Sequence, residues 1–178
     1  MKITHAITLF ITALVLISCN DKSLQKYLVQ KQDDPKFMKV DIPTSLLEGE
    51  NSNLTAEEKE ILSSIKKINV VAYPIKDANL AEFEVEKQEL ESILAQEQYK
   101  DLTRINSNDW SATLKYTGDD DTIDEVIVFA SDNTKGFAVF RLLGENMRPE
   151  QMLQLMKTIE KGGVDLSPIG GMMKGFDN

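Results

Sequence analysis

The sequence predicts an α+β fold, a mainly antiparallel β-sheet with helices packed on one face. Residues 23–97 contain three stretches with apolar residues at helical spacing, separated by two strand-like stretches. After Tyr99, three or four strand-like stretches are joined by short turns, and strands joined in this way pair antiparallel. The 178 residues are 42% hydrophobic and 28% charged, the composition of a globular protein with room for one domain.

A short helix and a strand are predicted first. Residues 23–32 contain no helix breaker and repeat apolar residues at helical spacing, and Pro35 ends this helix. Residues 37–42 alternate between apolar and polar side chains, which is typical of a half-buried strand, and Pro43 ends it.

A helix, a strand and a longer helix follow. Thr55 and Glu58 have the spacing of a capping box, which predicts a helix of about ten residues. The β-branched residues 68–73 predict a strand. Asn79 to Glu82 repeats the capping pattern and opens the longest helix, running to about Glu97. Its apolar stripe, which we expect to face the core, comprises Phe83, Leu90, Ile93 and Leu94.

The second half has the pattern of a β-meander. Residues 117–121 form a turn, and residues 131–136 have the composition of a hairpin loop between the apolar runs 123–130 and 137–143. The cleanest strand alternation is in residues 110–116, whose predicted inward side chains are Trp110, Ala112, Leu114 and Tyr116.

The last predicted helix begins at Pro149, because Pro suits the first helical position and Glu150 suits the positive end of the dipole. Gly162 is its predicted end. Residues 163–178 are rich in Gly and Met and are predicted to be a flexible tail. The residues expected to face inward are Met152, Leu153, Met156 and Ile159.

The amino terminus resembles a bacterial lipoprotein export signal. Residues 6–17 are uncharged and mostly apolar, too short to span a bilayer but long enough for a signal-peptide core. They end in Leu16-Ile17-Ser18-Cys19, which resembles a lipobox, and polar residues follow at once. We expect Cys19 to be acylated and to anchor the protein in a membrane. The alternative is an ordinary signal peptide with an incidental cysteine, which would leave an unpaired thiol in an oxidising compartment.

The sequence therefore divides into four predicted parts. Residues 1–18 are a lipoprotein signal peptide, 19–36 a lipid-anchored segment with a short helix, 37–162 a single α+β domain, and 163–178 the tail. The expected location is the cell envelope, on the inner or outer membrane and either periplasmic or surface-exposed.

Composition excludes much chemistry. Removal of residues 1–18 takes away Lys2 and His5, so 19 basic and 29 acidic residues remain, with a net charge of -10. The acidic balance argues against a nucleic-acid partner. Without histidine or a free thiol, the chain lacks the usual triads, zinc sites and redox thiols, and we expect no cofactor and no catalytic residues.

An acidic stretch is the densest charge in the chain, and its candidate binding or cation residues are Asp119, Asp120, Asp121, Asp124 and Glu125. It lacks the ligand spacing of an EF-hand, so a solvated hairpin turn is the simpler interpretation and no metal is expected. Thr122 lies in Asp-Thr-Ile, which resembles an O-glycosylation acceptor of some Gram-negative bacteria, so Thr122 is a candidate O-glycosylation site.

Arg141 lies inside an apolar run, where an unpaired guanidinium would be costly to bury. It is predicted either to point outward or pair with Asp124 or Glu125 on the adjacent strand, or to clamp an anion. The aromatic residues Trp110 and Tyr116 are more simply core than a carbohydrate or peptide platform.

Five segments of the chain are distinctive in combination. They are Lys31-Gln-Asp-Asp-Pro-x-Phe37, Val40-Asp-Ile-Pro43, Asp119 to Phe129, Asp132-Asn-x-x-Gly-Phe137 and Arg141-Leu-Leu-Gly-Glu-Asn-Met-x-Pro149. Together they resemble domain-of-unknown-function family 4252, whose members are small lipoproteins of Gram-negative bacteria. The resemblance implies an envelope lipoprotein and brings no catalytic residues with it.

The expected function is that of a lipid-anchored, non-enzymatic module that binds a protein, peptide or glycan. One alternative is a carboxylate-based hydrolase, which requires two carboxylates about 5–10 Å apart in one concave pocket. A second is an accessory in envelope signalling, which genomic neighbourhood would distinguish.

Overall fold

The computed structural model describes residues 22–47, 52–76 and 79–163. Within these ranges the chain forms six strands, four α-helices and a short 3-10 helix, so the predicted α+β class is confirmed. The elements in chain order are α1 (Leu24–Gln30), β1 (Met38–Ile42), the 3-10 helix (Thr44–Leu46), α2 (Ala56–Ser64), β2 (Ile65–Pro74), α3 (Leu80–Leu94), β3 (Lys100–Asn106), β4 (Trp110–Gly118), β5 (Ile123–Asp132), β6 (Gly136–Met147) and α4 (Pro149–Glu160).

The strands form one six-stranded sheet in the order β1-β2-β6-β5-β4-β3. Every neighbouring pair is antiparallel, which confirms the predicted sheet type. Short turns join the strands of the pairs β3–β4, β4–β5 and β5–β6. Strands β2 and β6 also pair, although they are more than sixty residues apart in the sequence. This non-local pairing places β6 in the middle of the sheet and leaves β1 and β3 at its edges.

Helices cover both faces of the sheet, so the prediction that they pack on one face is wrong. Val70 and Phe140 face the layer of α2 and α4, whereas their neighbours Val71 and Val139 face the layer of α1 and α3. The reason is visible in β2, β5 and β6, whose nearly continuous apolar runs are typical of strands buried on both faces.

Local sequence signals set the helix starts. The capping box of α2 is present: Thr55 Oγ1 accepts from the Glu58 N–H at 3.2 Å, and the Thr55 N–H donates to Glu58 Oε2 at 2.8 Å. Helix α3 begins at Leu80 after the N-cap Asn79, as predicted, but the Asn79 side chain makes no cap hydrogen bond and donates to the carboxylate of Glu82 instead.

Helix α1 is part of the folded domain rather than a segment ahead of it. Leu24 and Tyr27 are buried in the same apolar layer as the aromatic residues of the sheet. Phe37 stacks edge-on against Tyr73 with ring centroids 5.0 Å apart, and Tyr73 stacks on Phe137 at 5.7 Å. Helix α1 is therefore packed against the sheet as part of the domain core.

Other differences are smaller. Strand β3 was not predicted as a separate element, and β2 begins earlier than expected, at Ile65. On β4, Leu114 and Tyr116 are buried as predicted, but Trp110 is 44% exposed. In α4, Met152 is buried as expected, together with Leu155. The predicted signal peptide, Cys19 and residues 164–178 of the tail lie outside the described residues.

Candidate functional site: a polar groove at Arg141

Arg141 lies on β6 and pairs with Glu125 on β5. Its Nε donates to Glu125 Oε1 at 2.8 Å and its Nη2 donates to Glu125 Oε2 at 3.0 Å. Its Nη1 also donates to the side-chain oxygen of Gln25 on α1. Because these partners occupy the guanidinium, the structure favours the ion-pair interpretation of Arg141 over an anion clamp.

A groove with a volume of about 440 Å³ opens beside this pair, between α1 and strands β1, β2 and β6. Its apolar lining includes Leu28, Val71 and Leu143. Its polar side chains come from all four elements and are Gln25, Gln32, Lys39, Asp41, Lys67, Asn69 and Arg141.

Every charged side chain that lines this groove contacts a partner inside the domain. Lys67 Nζ lies 2.9 Å from Asp41 Oδ2, and the Asn69 amide donates to the same carboxylate. These donors, Lys67 first, hold the pKa of Asp41 below its usual range. Lys39 Nζ donates to the carbonyl of Gln32. The groove therefore offers mainly amides, carbonyls and apolar side chains to a ligand, with one positive charge, that of Lys39, balanced by carbonyls rather than by a carboxylate.

The wall formed by α1 is fixed by a buried polar contact with α3. Lys31 Nζ lies 2.5 Å from Glu86 Oε1, and the Tyr27 hydroxyl donates to Glu86 Oε2 at 3.2 Å. Burial and the nearby charge of Glu86 raise the pKa of Tyr27, so this hydroxyl stays protonated. These contacts therefore hold the α1 wall of the groove in place without a ligand.

The five acidic candidates do not converge on one point. Glu125 is buried and pairs with Arg141, whereas Asp119, Asp121 and Asp124 are exposed. In the described part of the chain, no three Asp, Glu, His or Cys side chains are arranged to hold a metal ion. The structure therefore gives the cation interpretation of this turn no support.

We call residues 119–122 the Asp-rich turn. Hydrogen bonds within it and from the neighbouring strands hold it in place. The Asp119 N–H donates to the Thr122 carbonyl at 2.9 Å. Asp120 Oδ1 accepts from Lys100 Nζ at 2.8 Å and from the Tyr116 hydroxyl at 3.3 Å. The hydrogen bond from Lys100 is the main cause of the lowered pKa of Asp120. Thr122 is exposed in this turn.

Trp110 and Tyr116 do not form a shared platform. Both lie on the same face of β4, but six residues separate them along the strand, which is about 20 Å. Tyr116 packs in the core beside Met147 and Met152. The platform interpretation therefore fails, and the simpler core interpretation holds for Tyr116 alone.

A second groove, of about 520 Å³, was missed from sequence. It lies between α3 and strands β3 to β5 and contains two carboxylates, Glu91 and Asp101, together with Arg104. Asp101 Oδ1 lies 2.8 Å from Lys115 Nζ. The groove was missed because β3 carries mostly polar, exposed side chains and gives almost no periodic signal.

Comparison with known proteins identifies one family. A family model described as Domain of unknown function (DUF4252) matches residues 27–155, which span α1 to α4. No curated protein and no solved structure matches the chain. Within the described ranges, no helix combines the length and apolar character needed to cross a bilayer.

Proposed function

The chain belongs to the DUF4252 family, and we propose that it is a lipid-anchored protein of the bacterial cell envelope that binds a partner through the Arg141 groove without catalysis. Support for the anchor comes from the sequence Leu16-Ile17-Ser18-Cys19 at the end of an apolar stretch. The acyl chains on Cys19 would enter the membrane, because each buried CH₂ group contributes about 0.8 kcal/mol.

The observation that supports binding most strongly is that the charged side chains of the groove already have partners inside the domain. Arg141, Asp41 and Lys67 all have ion-pair partners inside the domain. A charged ligand would have to displace one of these partners or the carbonyls that Lys39 contacts, whereas a neutral polar ligand would not. Side-chain amides beside apolar patches suit the backbone of a peptide or the hydroxyl groups of a glycan. We therefore propose a peptide or glycan as the ligand class.

Site-specific photo-crosslinking in native membranes tests this proposal. A photoreactive amino acid replaces Gln32, which lines the groove, or Gln30, which is also exposed on α1 but does not line it. We expect a discrete adduct from position 32 and none from position 30. The same adduct from both positions, or from neither, would contradict groove binding.

One observation supports the carboxylate-hydrolase alternative, namely that Glu91 and Asp101 both line the second groove. A hydrolase that used them would lose activity on Glu91→Gln or Asp101→Asn. We expect the protein to release no product from peptidoglycan or other envelope glycans. Release that is abolished by either substitution would replace the binding proposal with an enzymatic one.

A further inference from the structure

The described chain is attached to the domain from its first residues. The Leu24 N–H donates to the Tyr99 hydroxyl at 2.9 Å, and the Gln96 side chain donates to the Lys22 carbonyl. Leu24 and Tyr27 are each only 1% exposed. Among the described residues, the contacts that hold α1 on the domain therefore begin at Lys22.

Ion pairs along α3 hold the same segment. Glu82, Glu86 and Glu89 lie on one face of α3, at spacings of three and four residues. Three lysines pair with them: Lys22 with Glu89, Lys31 with Glu86, and Lys36 with Glu82. The outer two pairs are exposed and contribute little, but the middle pair is largely buried and carries the Tyr27 hydrogen bond as well.

We propose that the lipid on Cys19 holds this domain directly against the membrane in one orientation, with the Asp-rich turn near the headgroups and Trp110 pointing away. The inference rests on the proposed anchor. Three peptide steps from Cys19 to Lys22 span at most about 11 Å, because an extended chain rises about 3.3–3.6 Å per residue. The end of the domain that carries the start of α1 and the Asp-rich turn therefore contacts the lipid headgroups.

The contacts of Tyr99 and Lys100 decide which end faces the lipid. Tyr99 holds the start of α1, and the next residue, Lys100, opens β3 and pairs with Asp120 at 2.8 Å. The start of α1 and the Asp-rich turn therefore lie at the same end of the sheet. Trp110 begins β4, which ends at Gly118 beside that turn, so Trp110 lies about 27 Å away at the other end.

Fluorescence quenching on vesicles tests the orientation. The acylated full chain is placed in phosphatidylethanolamine and phosphatidylglycerol vesicles whose headgroups carry a nitroxide, which quenches only at short range. A fluorophore is attached at Asp121→Cys, in the Asp-rich turn, or at Asn108→Cys, in the exposed loop at the Trp110 end. We expect at least about threefold stronger quenching at position 121, because the two ends are about 27 Å apart.

A matched tether variant separates orientation from anchoring. Twelve Gly and Ser residues inserted between Asp21 and Lys22 keep the lipid and the domain but add a reach of about 19 Å, which should abolish the difference. Equal or reversed quenching in the parent protein would overturn the orientation and leave the anchor intact. Failure of the protein to float with the vesicles would overturn the anchor, and the orientation with it.

Discussion

Arg141 and Glu125 form a two-pronged ion pair that joins β6 to β5 and closes one side of the groove. Their side chains are 13% and 11% exposed, and the two hydrogen bonds measure 2.8 and 3.0 Å. A guanidinium left alone in this position would be desolvated without compensation. The pair is therefore a structural contact that also neutralises the guanidinium of Arg141 beside the groove.

The first prediction concerns this pair. Glu125→Ala should lower the free energy of unfolding by about 3 kcal/mol, because it leaves Arg141 buried and unpaired. Urea unfolding of the full chain in detergent measures the loss. Arg148→Ala removes the exposed pair with Glu150 and should cost no more than about 0.5 kcal/mol. Equal effects of the two substitutions would contradict the burial argument.

The sequence could predict this pair only in part. An Arg inside an apolar strand requires a partner, and adjacent strands offered Asp124 and Glu125. Ile127 lies opposite Arg141, so Glu125, two residues earlier, falls on the same face of the sheet as Arg141, and this register leaves no local signal in the sequence. The groove depends on α1 packing against distant strands, so no single segment encodes it.

The second prediction concerns Gly136, at the start of β6. Its φ is +125°, and a Cβ there would lie 2.0 Å from the Tyr73 carbonyl oxygen. Gly136→Ala should therefore destabilise the protein by more than about 2 kcal/mol. Gly162→Ala is the control, since Gly162 also has a positive φ but no atom within 4 Å of its Cβ position. If Gly162→Ala costs as much, backbone conformation rather than the clash at Tyr73 explains the loss.

The third prediction concerns the cap of α2. Thr55→Ala should cost about 1 kcal/mol, because it removes the hydroxyl that accepts from the Glu58 N–H. Glu58 also accepts from the Thr158 hydroxyl of α4 at 2.5 Å, so the cap connects two helices. Ser63→Ala, at an exposed position in the same helix, should change stability by less than about 0.5 kcal/mol. A neutral Thr55→Ala would show that the cap is dispensable.

The fourth prediction concerns acid stability. Asp132 Oδ1 accepts from the hydroxyl and the N–H of Thr134 and from the Lys135 N–H, and these bonds lower the pKa of Asp132. A carboxyl whose pKa is lower in the folded state stabilises the protein above its unfolded pKa of about 3.9. That contribution is lost as the pH falls through the folded pKa.

Unfolding free energies measured from pH 2 to 6 test this directly. Asp132→Asn should flatten the rise in stability with pH, because the asparagine side chain does not titrate. Asn133→Ser changes the neighbouring loop residue without changing charge and should leave the slope intact. An unchanged slope in Asp132→Asn would show that other carboxyls account for acid sensitivity.

The fold could be predicted from sequence where the signal was local. The capping box at Thr55, the stripe of Phe83, Leu90 and Ile93, and the alternation toward Tyr116 all identified real elements. The covering of both sheet faces was not predicted, although the nearly continuous apolar runs of β2, β5 and β6 are typical of strands buried on both faces. Strand pairing across long separations, such as β2 with β6, has no local signal.

The anchor at Cys19 underlies both the envelope location and the membrane orientation, and mass spectrometry of the protein from its native membranes tests it most directly. The amino-terminal peptide is predicted to begin at Cys19 and to carry a diacylglyceryl group on the cysteine sulfur. A peptide that retains the bond between Ser18 and Cys19 with an unmodified thiol would contradict the anchor, the envelope location and the orientation that follows from them.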